Sequence, residues 1–152
     1  MSSIAKFVFF FLLVVSLGIF QIRETFKIGD VNPNLGIVVM VVLFFFVAER
    51  LFLVLCALSL VFLFSWQPGL GTEILVFSAV LTLVYILKKY IRSHPIPSSA
   101  FLISVSTLGF YIFAGMQFLK EHYMIVGGEI VYNVIFGALL FIILSNTEKR
   151  LQ

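Results

Sequence analysis

Apolar side chains run almost unbroken through six stretches of this chain, residues 4–22, 35–48, 51–64, 72–91, 100–119 and 129–145. Short polar or turn-forming stretches separate them. Runs such as residues 38–47 are apolar at every position, so they lack the in-out alternation of membrane β-strands. In a hydrocarbon medium every backbone N–H and C=O must be bonded internally, which predicts helices.

The break at Glu49-Arg50 decides how many helices there are. Residues 35–64 form a 30-residue stretch interrupted only by these two charges. A single helix of that length would be about 45 Å long at roughly 1.5 Å per residue. The hydrocarbon core of a bilayer is about 30 Å thick. One span would overshoot and place both charges near the midplane, at roughly 2.5–3.5 kcal/mol each. Neighbouring residues on a helix point apart, so the two could not neutralise each other cheaply. The spacing predicts two short helices, 35–48 and 51–64, with Glu49 and Arg50 at an interfacial corner.

Composition places the chain in the membrane class. It is 152 residues long, 62% hydrophobic and 11% charged, with mean hydropathy +1.18. Soluble domains carry about 25% charged residues. No loop exceeds about a dozen residues, so one integral-membrane domain over residues 1–152 is expected. Lys6 followed by the apolar residues 7–20 has the outline of a signal peptide. Gln21-Ile22-Arg23-Glu24 offers no small-x-small cleavage pattern, so an uncleaved first helix is expected.

The isoelectric point near 9.2 raises the question of nucleic acid. The ten Lys and Arg residues are scattered at the ends of apolar stretches, which suits orientation and headgroup contact instead. With six helices and a cytoplasmic N-terminus, Lys6, Arg50, Lys88, Lys89, Arg92, Lys149 and Arg150 face inward. Arg23, Lys27 and Lys120 face outward, so seven stand against three, with both termini inside. A five-helix chain of opposite orientation also puts seven inside, but it strands Arg50 in lipid. Length and charge cost therefore choose six transmembrane helices.

Turn chemistry marks the joints. Pro33 and Asn34 open the second helix at Leu35, Pro suiting a first turn and Asn a cap. Pro68-Gly69 with Gly71 forms a tight turn, and Glu73 follows in the first turn of the fourth helix, where its charge suits the helix dipole. His94-Pro95-Ile96-Pro97 stiffens the next connection, ahead of Ser98 and Ser99 as candidate caps. Gly127-Gly128 predicts a bend before the last helix.

Polar side chains are unevenly distributed. Helix four carries Ser78, Thr82, Tyr85 and Lys89 on one face; helix five carries Ala100, Ser104, Thr107, Tyr111 and Gly115. Helix six carries Glu129, Asn133 and Gly137. Small and polar residues on a shared stripe are what membrane helices use to approach closely and hydrogen-bond. Helices four to six are expected to pack together there or to line a polar groove. Glu129 and Asn133 are its sharpest element, since ionisable groups near a membrane interior are functional candidates.

Catalytic patterns do not emerge. The chain has no Gly-rich phosphate loop, no HExxH, no GxSxG and no paired catalytic carboxylates. Cys56 stands alone in an apolar run, and His94 and His122 fall in separate loops. No enzyme activity, cofactor or metal is expected.

The order Pro33-Asn34-Leu35, Glu49-Arg50, Pro68-Gly69-Leu70-Gly71 and a fourth helix ending in Lys88-Lys89 resembles the MreD family. These are small multi-pass proteins of the bacterial rod-shape machinery. The resemblance covers residues 30–92; beyond them it rests on hydropathy. Many relatives have an acidic residue before the third-to-fourth helix turn, where this chain has Leu63-Phe64-Ser65-Trp66. The resemblance implies a non-enzymatic scaffold in the bacterial cytoplasmic (inner) membrane, associated with an MreC-like protein and with the glycosyltransferase and transpeptidase of wall elongation. It also implies an all-α bundle similar to the substrate-binding subunits of energy-coupling-factor transporters. That fold analogy supplies a second expectation, a subunit binding a small vitamin-like molecule.

Overall fold

The computed structural model describes residues 3–65, 71–91 and 94–151. Among the described residues seven helices follow one another: α1 (Ser3–Ile22), α2 (Leu35–Phe46), α3 (Arg50–Ser65), α4 (Gly71–Lys88), α5 (Pro95–Ala114), the short α6 (Met116–Glu121) and α7 (Tyr123–Leu151). Among the described residues there is no strand, only an isolated bridge between Ile28 and Val31. The fold is all-α, as expected.

Among the described residues three helices are long and apolar enough to cross a membrane, over Ala5–Ile22, Pro95–Ala114 and Tyr123–Thr147; α2 and α3 are shorter apolar helices. The outer surface is itself apolar. Leu51, Leu75, Phe113 and Met124 are each about 70% exposed, far from the behaviour of a water-facing surface and suited to lipid.

The chain does break at the charged corner. Val47 turns extended (φ −115°, ψ 121°), and its N–H still bonds to the Leu43 carbonyl. Glu49 and Arg50 are exposed, and α3 starts at Arg50.

Helix α2 is the hub. It touches α1, α3, α4, α5 and α7, and every residue from Leu35 to Phe44 is buried. Its 12 residues span roughly 18 Å. Aromatic pairs set the directions of its neighbours. Phe44 meets Tyr85 of α4 (5.4 Å between ring centroids), and Phe46 meets Phe141 of α7 (4.9 Å). Phe7 of α1 meets Phe52 of α3 (4.6 Å). Helices α2, α4 and α7 therefore run one way and α1 and α3 the other.

Several joints differ from the sequence-based expectation. Helix five was expected over 100–119, but α5 starts at Pro95, whose fixed φ is pre-set for a first helical turn. Ser98 and Ser99 are consequently inside the helix rather than caps, their hydroxyls donating to the His94 and Ile96 carbonyls (both 2.8 Å). The helix stops at Ala114, and Gly115 (φ −151°, ψ 49°) separates it from α6. Gly127 and Gly128 do not bend the chain; they lie within α7. A Cβ on Gly128 would stand 3.1 Å from Val31, so this glycine admits the α1–α2 loop against α7. That loop also holds an exposed Lys27–Glu24 ion pair at 2.9 Å. The hydrogen bond to Glu24 raises the Lys27 pKa, though an exposed pair of this kind adds little stability. The expected turn at Pro68-Gly69-Leu70 lies outside the described residues.

Candidate functional site

The polar atoms gather where α2 begins. A helix start leaves its first N–H groups without intrahelical partners. The chain supplies each one. The Asn34 N–H donates to Asn133 Oδ1 of α7 (2.9 Å), and the Leu35 N–H to the Pro33 carbonyl (3.0 Å). The Gly36 N–H donates to Gln21 Oε1 at the end of α1 (2.7 Å), and the Ile37 N–H to Asn34 Oδ1 (3.1 Å). The Val38 N–H closes the first regular bond, to the Asn34 carbonyl (3.1 Å).

This accounting gives Pro33-Asn34-Leu35 a physical role. Asn34 is the cap itself, and Pro33, buried, precedes it rather than occupying the first turn. Gly36 is small for a reason too: a Cβ there would lie 3.0 Å from the Phe64 ring.

Asn133 extends the network across the bundle. Its Nδ2 donates to Thr107 Oγ1 of α5 (3.0 Å) while its Oδ1 holds the Asn34 N–H. One turn nearer the start of α7, Glu129 is 4% exposed and its carboxylate accepts from the Tyr111 hydroxyl. Gly137, one turn further on, packs against Ile103 of α5 and Val38 of α2. The stripes on helices five and six thus meet each other and also the start of α2.

The stripe on α4 goes elsewhere. Ser78 and Thr82 are exposed, and their hydroxyls donate to the Ile74 and Ser78 carbonyls of their own helix (3.0 and 2.9 Å). Both line a groove against α2 and α3 instead of joining α5 and α7. The expected association of helices four to six through one polar stripe is corrected on this point: periodicity selected a face of α4, and that face turns toward α3. Ser104 is half-buried and donates to the Ala100 carbonyl (2.9 Å). Glu73 lies in the first turn of α4, as expected, and with Asn34 lines a cavity of about 50 Å³. Gly71 is the exposed first residue of α4, and Pro68 lies outside the described residues.

Two contributors were not singled out from the sequence. Gln21 ends a long apolar run with no stripe to mark it. Lys88 enters the sequence reading only through orientation and the basic end of the fourth helix, yet its ammonium donates to the Phe44 carbonyl and stands 5.0 Å over the Phe45 ring. A cation at the last carbonyls of a helix meets the negative end of its dipole. Both ends of α2 are therefore closed by side chains from other helices.

Among the described residues no buried polar side-chain atom lacks a partner, and no three His, Cys, Asp or Glu residues are grouped to hold a metal. Glu129 and Tyr111 are engaged with each other, and Asn133 spends both ends of its amide inside the bundle. Set beside family models, curated proteins and solved structures, the chain matches none.

Proposed function

We propose that this chain is a non-enzymatic, six-crossing membrane scaffold of the MreD type, whose rigid bundle organises an MreC-like protein and the synthases of wall elongation in the bacterial inner membrane. The observation that carries the reading is the closed polar network at the start of α2. Among the described residues every buried side-chain N or O atom has a hydrogen-bond partner, and the network ties the start of α2 to α1, α5 and α7, which stiffens the bundle. The residues that carry the resemblance support it as well: Pro33-Asn34-Leu35 forms the cap of the central helix, and Glu49-Arg50 forms the corner after it.

The partner reading is tested by co-purification from native membranes. An MreC-like protein is expected to come with the chain, and depletion in the host is expected to round the cells. Normal shape together with no such partner would sink the scaffold. Thermal stabilisation by one vitamin-like compound would favour the solute-binding alternative instead.

The six-crossing topology has its own test. In a background with Cys56→Ser, a thiol introduced by Glu49→Cys should react with an impermeant reagent only after the cytoplasmic face is opened. A thiol unreactive from both faces would mean that the corner is buried, contrary to this topology.

A further inference from the structure

Helices α2, α3 and α4 leave between them a groove of about 390 Å³. Its walls are Met40, Leu53, Ala57, Val61 and Leu81, with Val54 and Leu58 more than half exposed along the rim. The two hydroxyls that reach it, from Ser78 and Thr82, are spent on carbonyls of their own helix. The groove is therefore an apolar channel opening sideways on the lipid-facing surface.

One end of the channel is different. Arg50 lines it at the α2–α3 corner, exposed and without a hydrogen bond or ion pair among the described residues. Tyr85 lines the same groove, and the Lys89 ammonium stands 5.8 Å from its ring. Glu49 adjoins Arg50 at this corner, and the Lys88 ammonium is engaged with the Phe44 carbonyl at the end of α2. An apolar trough with Arg50 at one end and Lys89 beside its Tyr85 wall matches a lipid with an anionic headgroup, the type of basic inter-helix pocket that phospholipids occupy.

We propose that the α2–α3–α4 groove binds one anionic phospholipid, with its phosphate at Arg50 and Lys89 and an acyl chain along Ala57, Val61 and Leu81. The site rests on the six-crossing reading only in so far as Arg50 must lie at headgroup depth, and the Glu49→Cys labelling checks that separately. Nothing in it depends on the scaffold's partners.

Native mass spectrometry of the full chain, released from nanodiscs of equal phosphatidylglycerol and phosphatidylcholine, reads the proposal. The wild type should retain one phosphatidylglycerol in preference to phosphatidylcholine. Arg50→Gln should weaken that preference about five-fold, the size expected for one interfacial cation, and Lys89→Gln should weaken it further in combination. Ala57→Phe, which fills the trough, should lower retention of either lipid. Since Arg50 and Lys89 are exposed, both glutamine variants should keep the wild-type melting temperature. Equal retention of the two lipids by the wild type, or an undiminished preference in the Arg50→Gln, Lys89→Gln double variant, overturns the site.

Discussion

Asn133→Leu is expected to destabilise the bundle by about 1–3 kcal/mol, the range for leaving a buried polar group unpaired. For a chain of this size that corresponds to a fall of roughly 2–12 °C in melting temperature in a fixed detergent. Leucine has a similar volume, so the loss is one of hydrogen bonding rather than of packing. Two partners are orphaned together: the Asn34 N–H loses its acceptor, and Thr107 Oγ1 loses its donor. The first loss should dominate, because a backbone N–H at a buried helix start has nowhere else to turn. Thr107→Val separates the two. It removes only the α5 partner and should cost less than about 1 kcal/mol, in line with the modest worth of single interhelical hydrogen bonds in membranes. Adding it to Asn133→Leu should cost almost nothing more, as expected for members of one network. A melting temperature for Asn133→Leu no lower than that of Thr107→Val would show that the Asn34 contact does not lock α2.

Gly137→Ala carries the second large effect. A Cβ at this position would come within 2.2 Å of Ile103 Cδ1, while Val38 stands at 3.5 Å. Ile103 and Val38 are both 0% exposed, so Ile103 has no empty space to swing into. Overpacking of this kind costs about 1–3 kcal/mol. The clash also names its own remedy. Ile103→Val deletes the one carbon atom that collides, at a cost by itself of about 0.5–1.5 kcal/mol. The double variant Gly137→Ala, Ile103→Val should melt higher than Gly137→Ala alone, in thermal unfolding followed by circular dichroism. A double variant as unstable as the two single losses added together would mean that α5 and α7 do not meet at Gly137.

These two sites show what a sequence can and cannot reveal here. The Glu49-Arg50 break was readable because two charges in hydrocarbon carry a cost large enough to decide the local structure. The meeting of Thr107, Tyr111, Glu129 and Asn133 was readable as two stripes because polar residues are rare on these helices. The same spacing misled at Ser78 and Thr82, since periodicity identifies a face but not the helix that face meets. Start points failed at α5 and α7 for a related reason. Pro97 and Gly128 read as punctuation, yet in tightly packed helices they serve a first turn and a close approach.

The central position of α2 was the least legible feature. A helix apolar on every side suits lipid and a protein core equally, and its sequence carries no polar face to distinguish them. Gln21 was invisible for a complementary reason: its partner is a backbone N–H, which every residue but proline possesses.

The enclosure of α2 also bears on the order in which the molecule can be assembled. Synthesis proceeds from the N-terminus, so α2 leaves the ribosome long before α7, which brings Asn133. For that interval its flank is covered by lipid and its first N–H has no partner. A uniformly hydrocarbon helix is the kind that can wait in such surroundings, because acyl chains solvate it as well as the finished bundle does. Its lack of any polar face thus lets an early helix become the innermost one, and the arrival of α7 changes a membrane-soluble intermediate into a closed fold.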